Sequence, residues 1–203
     1  MTRAAGRSIL IATTNRGKLR EIAAVMEGLP VEWIALGDLP PMPECAEDAD
    51  TFEGNAEKKA HHYARLGGLW TLADDSGLEV DALGGRPGVK SARFAGEPKS
   101  DARNNARLIQ LLAGVPAERR TARFRCVLAL VGDGRLLART AGTVEGVIVD
   151  EPRGTNGFGY DPHFLIPSLG RTMAELSPDS KNRISHRGQA LRAMRDALLR
   201  LLA

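Results

Sequence analysis

The run Leu69-Trp70-Thr71-Leu72-Ala73-Asp74-Asp75-Ser76-Gly77 decides how this chain is read. Leu69 to Ala73 is an apolar, strand-like segment, and the two carboxylates fall where it stops and a glycine-marked turn is expected. Side chains alternate across a strand, so Asp74 and Asp75 are expected on opposite faces, one shaping the turn and the other facing an open cleft. Carboxylates in such a place suit a hard divalent cation such as Mg²⁺, which takes oxygen ligands and keeps several waters. Alone, the same residues are better described as a solvated acidic turn.

Outward from that run the chain alternates strands and helices. Ser8 to Thr13 reads as a buried strand and Arg16 to Glu27 as a helix with Leu19, Ile22, Ala23 and Met26 on one face. Val31 to Leu36 is a second strand, and Leu39-Pro40-Pro41-Met42-Pro43 forces an irregular loop. Thr51 caps a helix reaching Leu66, with Phe52, Ala56, Ala60 and Tyr63 as its apolar stripe. Ser100 caps another, with Ala102, Ala106, Ile109 and Leu112 expected inward. Arg123 to Val131 and Arg135 to Val149 form a hairpin around Asp133-Gly134. Ser177-Pro178 opens a short helical segment, and Ser185 caps the last helix, striped by Leu191, Met194, Leu198 and Leu201. With no repeat and no linker, residues 1–203 are expected to form a single α/β domain with a mixed sheet.

Bulk properties narrow the function. Apolar residues make up 43% of the 203, but aromatics only 4%, so Leu, Val, Ile and Ala must build the core. No apolar run approaches the ~20 residues of a membrane span. Met1 to Arg7 lacks a signal-peptide pattern, and Cys45 and Cys126 match neither a disulfide framework nor a metal motif, so the chain is expected in the cytoplasm. A net charge of +3 with dispersed basic residues argues against a nucleic-acid polymer as partner and favours a small polyanion.

Four further segments carry chemistry. Thr13-Thr14-Asn15-Arg16-Gly17-Lys18 joins the first strand to the first helix, where amide N–H groups and the helix dipole suit a phosphate. A capped helix with an exposed lysine reads the same way, and the Walker A spacing is absent. Glu44, Glu47, Asp48 and Asp50 form an acidic loop, either solvated or folded toward the Asp74-Asp75 cation site, and Lys59 in the next helix is within reach of a phosphate. Gly154 to Pro162 is a glycine loop in which Phe158 can stack on a purine and Asp161 can accept from its ring N–H; a loop with its aromatics tucked into the core is the alternative. Lys181 and Ser185-His186-Arg187-Gly188 place donors at a helix start.

Taken in order and spacing, Thr13-x-Asn15-x-x-Lys18, Thr51-Phe52-Glu53-x-Asn55-Ala56 with Lys59, Ala73-Asp74-Asp75-Ser76-Gly77-Leu78, Ser91-Ala92-Arg93-Phe94, Gly157-Phe158-Gly159-Tyr160-Asp161-Pro162 and Ser185-His186-Arg187-Gly188 resemble the Ham1-like inosine triphosphate pyrophosphatases across nearly the whole chain. The resemblance implies an elongated mixed β-sheet with flanking helices forming two lobes around an active-site cleft. It also implies a homodimeric, Mg²⁺-dependent enzyme that converts purine nucleoside triphosphates (ITP, dITP, XTP) to monophosphate and pyrophosphate. Glu47 and Asp75 are implied as metal ligands, with Glu44 as the rival of Glu47, and Asp75 as proton acceptor for the attacking water. Thr13, Asn15, Lys18, Lys59 and Ser76 are implied around the phosphates and Phe158, Asp161, Lys181, His186 and Arg187 around the base, with Thr14, Arg16, Gly17, Gly159 and Tyr160 as further substrate-binding residues.

Donors from Lys181, His186 and Arg187 favour a 6-oxo purine over adenine, whose amino group faces another donor. The competing readings are a Maf-like pyrophosphatase acting on other modified nucleotides and a nucleotide-binding regulator without turnover. The purine-like segments at Phe158 and His186 weigh against the first, and the joint presence of Asp75, Lys18 and Lys59 weighs against the second.

Overall fold

The computed structural model describes residues 7–203, so the reading of the N-terminal stretch falls, for residues 1–6, outside the described residues. Strand β1 (Arg7–Ile11) leads into helix α1 (Arg16–Val25), strand β2 (Val31–Ala35), helix α2 (Phe52–Gly67) and the long strand β3 (Trp70–Val80). Helix α3 (Asp101–Leu111) and the hairpin strands β4 (Thr121–Gly132) and β5 (Arg135–Ile148) follow. Strands β6 (Phe164–Ile166) and β7 (Arg171–Thr172) and helices α4 (Pro178–Ile184) and α5 (His186–Leu202) complete the chain. The sheet runs β2-β1-β3-β4-β5-β6-β7, with β1 parallel to both β2 and β3, and β6 antiparallel to β5 and β7. The expected mixed α/β sheet with flanking helices is what the chain forms.

Contacts divide the chain into two compact units: residues up to Asp75 with Val127–Ala141 and Ala190–Ala203, and Ser76–Cys126 with Gly142–Gln189. In the first, the buried residues are Ile9 to Ile11 of β1, Val127 to Val131 of β4, Ile22 of α1 and Met26 at its end, Phe52, Ala56, Ala60 and Tyr63 of α2, and Leu191, Met194 and Leu198 of α5. In the second, Leu78, Val80, Leu108, Leu112, Phe124, Ile148, Phe164 and Met173 form one cluster. Each fully buried Leu, Val or Ile contributes roughly 1.5–3 kcal/mol by leaving water. No helix of the described residues is long and apolar enough to cross a membrane.

Local signals behave as expected where they are self-contained. Thr51 Oγ1 accepts from Gly54 N–H at 3.1 Å, Ser100 Oγ from Arg103 N–H at 3.3 Å, and Ser185 Oγ from Gly188 N–H at 3.1 Å. Asp133 and Gly134 take φ of 52° and 77°, the left-handed pair that a tight hairpin turn requires.

Several expectations are corrected. The segment at Asp74-Asp75-Ser76-Gly77 is not a turn: β3 continues through it to Val80, because ladder pairing on the sheet outweighs the poor strand preference of Asp, Ser and Gly. β1 stops at Ile11, where Thr13 N–H turns back to Ile11 O at 2.9 Å. Ala23, Ala102, Ala106 and Leu201 are exposed. Leu112 is buried and Ile109 packs against the core as expected, but Asn104 and Leu108 take the inward places expected of Ala102 and Ala106, with Asn104 bonding Ala95 N–H at 2.8 Å and Ala92 O at 3.1 Å. β6 and β7, too short to show a pattern, were not anticipated.

Candidate functional site

β3 buries both carboxylates on its way through the sheet, leaving Asp74 2% and Asp75 5% exposed. Both are therefore interior groups, and they share the lysines Lys18 and Lys59. Asp74 takes an ion pair from Lys18, which α1 supplies from its first turn. Asp75 lies in the field of Lys59, Lys18 and Glu47, and Asn55 hydrogen-bonds it. Burial pushes the Asp75 pKa up to about 6, against the downward pull of Lys59 and Lys18.

Lys59 joins these groups. It is 8% exposed, its ammonium pairs with Glu47, and it donates to the main-chain carbonyl of Asp74 at 3.1 Å. Burial works against its charge, but Glu47, Asp75 and Asp74 outweigh that, and Lys59 is held above its ordinary pKa. The acidic loop thus separates by residue: Glu47 is half-buried on Lys59, Asp48 pairs with Lys58, and Glu44 is exposed. Asn55, quoted within a motif but given no role from sequence, holds this loop. Its Oδ1 accepts from Ala49 N–H at 2.9 Å and its Nδ2 donates to Ala49 O at 3.2 Å. Only the burial of an amide on α2 beside acidic residues could have signalled it.

The strand-to-helix turn is internally satisfied in part. Asn15 Oδ1 caps α1, accepting from Gly17 N–H at 2.8 Å and Lys18 N–H at 3.1 Å, and Thr13 Oγ1 accepts from Asn15 N–H at 3.1 Å. The expectation of open amides is therefore not met at Gly17 and Lys18, while Thr14, Asn15 and Arg16 are exposed and Gly17 is buried.

The second unit carries the remaining candidates. Lys181 and Asp161, 4% and 2% exposed, form an ion pair at 2.6 Å, and Asp161 Oδ2 also accepts Phe158 N–H at 2.9 Å. That oxygen therefore organises the loop. Gly157 is obligatory there: its φ is +78°, and a Cβ would meet Asp161 Oδ2 at 2.0 Å. The Lys181 ammonium lies 4.8 Å from the centre of the Phe158 ring and the Arg187 guanidinium 5.4 Å, both within cation–π range. Arg187, 2% exposed, donates to Ser76 Oγ at 2.7 Å. His186 is buried and stacked on Phe124 at 4.8 Å with planes 16° apart. Tyr160 donates to Ser91 O at 2.8 Å, and burial holds its phenol far above the ordinary pKa, Asp101 adding to the effect. The alternative reading of this loop is thus met by Tyr160, which is buried, while Phe158 is only half-buried.

With this geometry in view, the likeness to known proteins is specific. The model of the Ham1 family matches residues 9–197, and the chain belongs to that family. A Geobacter sulfurreducens protein named dITP/XTP pyrophosphatase is 54% identical over 190 residues, 94% of this chain and 96% of its own. A Geobacillus kaustophilus protein of the same name is 54% identical over 185 residues, 91% of each chain. The solved structure of a HAM1 protein from Coxiella burnetii superposes with a TM-score of 0.86 at 41% identity, covering 96% of this chain and 99% of that one.

Proposed function

We propose that this protein hydrolyses non-canonical purine nucleoside triphosphates, ITP, dITP and XTP, to the monophosphate and pyrophosphate. The observation that carries the reading is the buried Asp75 carboxylate set among Lys59, Lys18 and Glu47, in a chain half identical to dITP/XTP pyrophosphatases. Lys18 and Lys59 are the cations that face the phosphate oxygens, with Ser76 next to Asp75 in the chain. Water oxygen bonds to phosphorus, the α–β anhydride breaks, and the Asp75 carboxylate accepts the proton. Lys181, Arg187 and His186 present donors to a 6-oxo purine, and Phe158 is its stacking surface.

Mg²⁺ fits the donor set. Among the described residues no three His, Cys, Asp or Glu side chains gather into a metal cluster, but Mg²⁺ bound with substrate phosphates needs only one or two carboxylates. Glu47 and Asp75 would hold it, and their mutual repulsion, part of what raises Asp75, is the deficit a cation relieves. When bound it would neutralise phosphate oxygens and lower the pKa of its water. The family resemblance further supports a homodimer in the cytoplasm, and light scattering on the purified protein tests the dimer.

The decisive experiment incubates the protein with ITP, dITP, XTP, GTP and ATP, with and without Mg²⁺, and resolves pyrophosphate from orthophosphate. Mg²⁺-dependent pyrophosphate release, fastest from ITP, dITP and XTP, is expected. Orthophosphate as primary product, or equal kcat/KM for GTP and ITP, overturns the reading.

A further inference from the structure

The loop Gly154 to Pro162 is exposed from Gly154 to Gly157 and half-buried at Phe158 and Gly159, before Tyr160 and Asp161 enter the interior. Its ends are tied. Asn156 is bonded through its N–H to Ala174 O at 3.0 Å and through Nδ2 to Leu176 O at 3.0 Å, and Tyr160 is anchored on Ser91. Between these ties lies Gly159, at φ +63°, with no side chain to pack and the widest backbone freedom of any residue type.

Helix α3 removes that freedom. Asp101 Oδ2 accepts from Gly159 N–H at 2.7 Å, and Asn105 Nδ2 donates to Gly159 O at 2.9 Å. The two side chains are four residues apart and so share one face of the helix. The N–H belongs to the peptide plane shared with Phe158 and the C=O to the plane shared with Tyr160. Holding both therefore sets the backbone on each side of Gly159, and with it the direction in which Phe158 leaves the loop. The Oδ1 of Asn105 is buried with no hydrogen-bond partner among the described residues. An unmet acceptor costs free energy, so an apolar residue would serve packing alone better than this amide does.

We infer that Asp101 and Asn105 are positioning residues for base recognition, clamping Gly159 so that Phe158 meets the purine. The inference rests on the reading of Phe158 as the base-stacking residue of a purine triphosphate pyrophosphatase. Asp101 and Asn105 belong to the second unit, and Lys18, Lys59 and Asp75 to the first. Their loss should weaken the hold on the base and leave the hold on polyphosphate intact.

The test measures kcat and KM for ITP, together with the inhibition constant of inorganic tripolyphosphate, in the wild type and in Asp101→Ala, Asn105→Ala and Asp101→Asn. Asn105→Ala and Asp101→Ala are expected to raise KM for ITP by about 10-fold with kcat and tripolyphosphate inhibition changed little, the scale on which small misplacements act. Asp101→Asn keeps an acceptor oxygen for Gly159 N–H and should stay near wild type, which separates the clamp from the charge at the start of α3. Amide exchange at Gly159 should accelerate in both alanine variants. Unchanged KM in active alanine variants, or a parallel loss of tripolyphosphate binding, overturns the clamp. A wild type that releases no pyrophosphate from any purine triphosphate overturns the underlying function, whatever the exchange data show, and the base role with it.

Discussion

The ammonium of Lys59 donates to the main-chain carbonyl of Asp74 at 3.1 Å while pairing with the Glu47 carboxylate. One buried side chain on α2 thus grips the strand at the residue before Asp75 and draws the acidic loop toward the same place. Lys59→Met should remove both links and the positive charge together. A fall in kcat/KM of ~10²–10³ is expected, the scale of losing one preorganised electrostatic contact at a reacting centre. Steady-state kinetics on ITP check it, and a loss below about 3-fold would place Lys59 outside the reaction.

Asp75 gives a pH-dependent prediction with a defined sign. Its folded-state pKa is raised to about 6, whereas an unfolded aspartate titrates near ~3.9. The folded protein therefore binds this proton more tightly. The resulting stability is complete below the unfolded value and is lost as pH rises through about 6. Asp75→Asn carries no such loss. In EDTA-treated protein it should be more stable than wild type by ~1–3 kcal/mol near pH 7.5, with the difference vanishing near pH 4. Turnover should fall nearly to background. Denaturant melts across that range decide it, and equal stability at both pH values sinks the claim.

Glu47 and Glu44 separate cleanly. Glu47 is half-buried on Lys59 and contributes to the field at Asp75, whereas Glu44 is exposed. Glu47→Gln should raise the Mg²⁺ concentration for half-maximal rate at least ~10-fold, in line with what disturbing a metal's surroundings costs. Glu44→Gln should not shift it. The opposite ranking in a Mg²⁺ titration would exchange their roles.

The Lys181–Asp161 pair is buried on both sides, so truncating one partner strands a charge. Lys181→Met should cost ~3–5 kcal/mol of stability, and adding Asp161→Asn should recover much of it. A double-mutant cycle in denaturant measures the coupling. Purely additive losses would show the pair to be independent.

Much of the architecture was legible because its causes are local. Thr51, Ser100, Ser177 and Ser185 satisfy amides within three residues of themselves, and Asp133-Gly134 meets a backbone requirement that few other pairs meet. The stripe Phe52, Ala56, Ala60 and Tyr63 is large enough to orient α2 unaided. Ala102 and Ala106 carry too little apolar surface to orient α3 against Leu108, Leu112 and the tethered Asn104. The continuation of β3 past Asp75 was hidden for a related reason: strand propensity is local, but ladder bonds come from neighbours distant in the chain.

By itself, the sequence determined the order of the chemical segments, the family they resemble, and the residue types at Lys18, Lys59, Asp75 and Lys181. Only the tertiary structure decided who meets whom. Lys18 reaches Asp74, 56 positions away, while Lys59 takes Glu47, and Gly159 is held by Asp101 and Asn105. It also decided charge: Asp74 and Asp75 are neighbours of identical chemistry, yet one is paired directly with a lysine and the other is pushed toward protonation. Pairing and desolvation depend on which surfaces the sheet and helices bring together, and no local pattern records that.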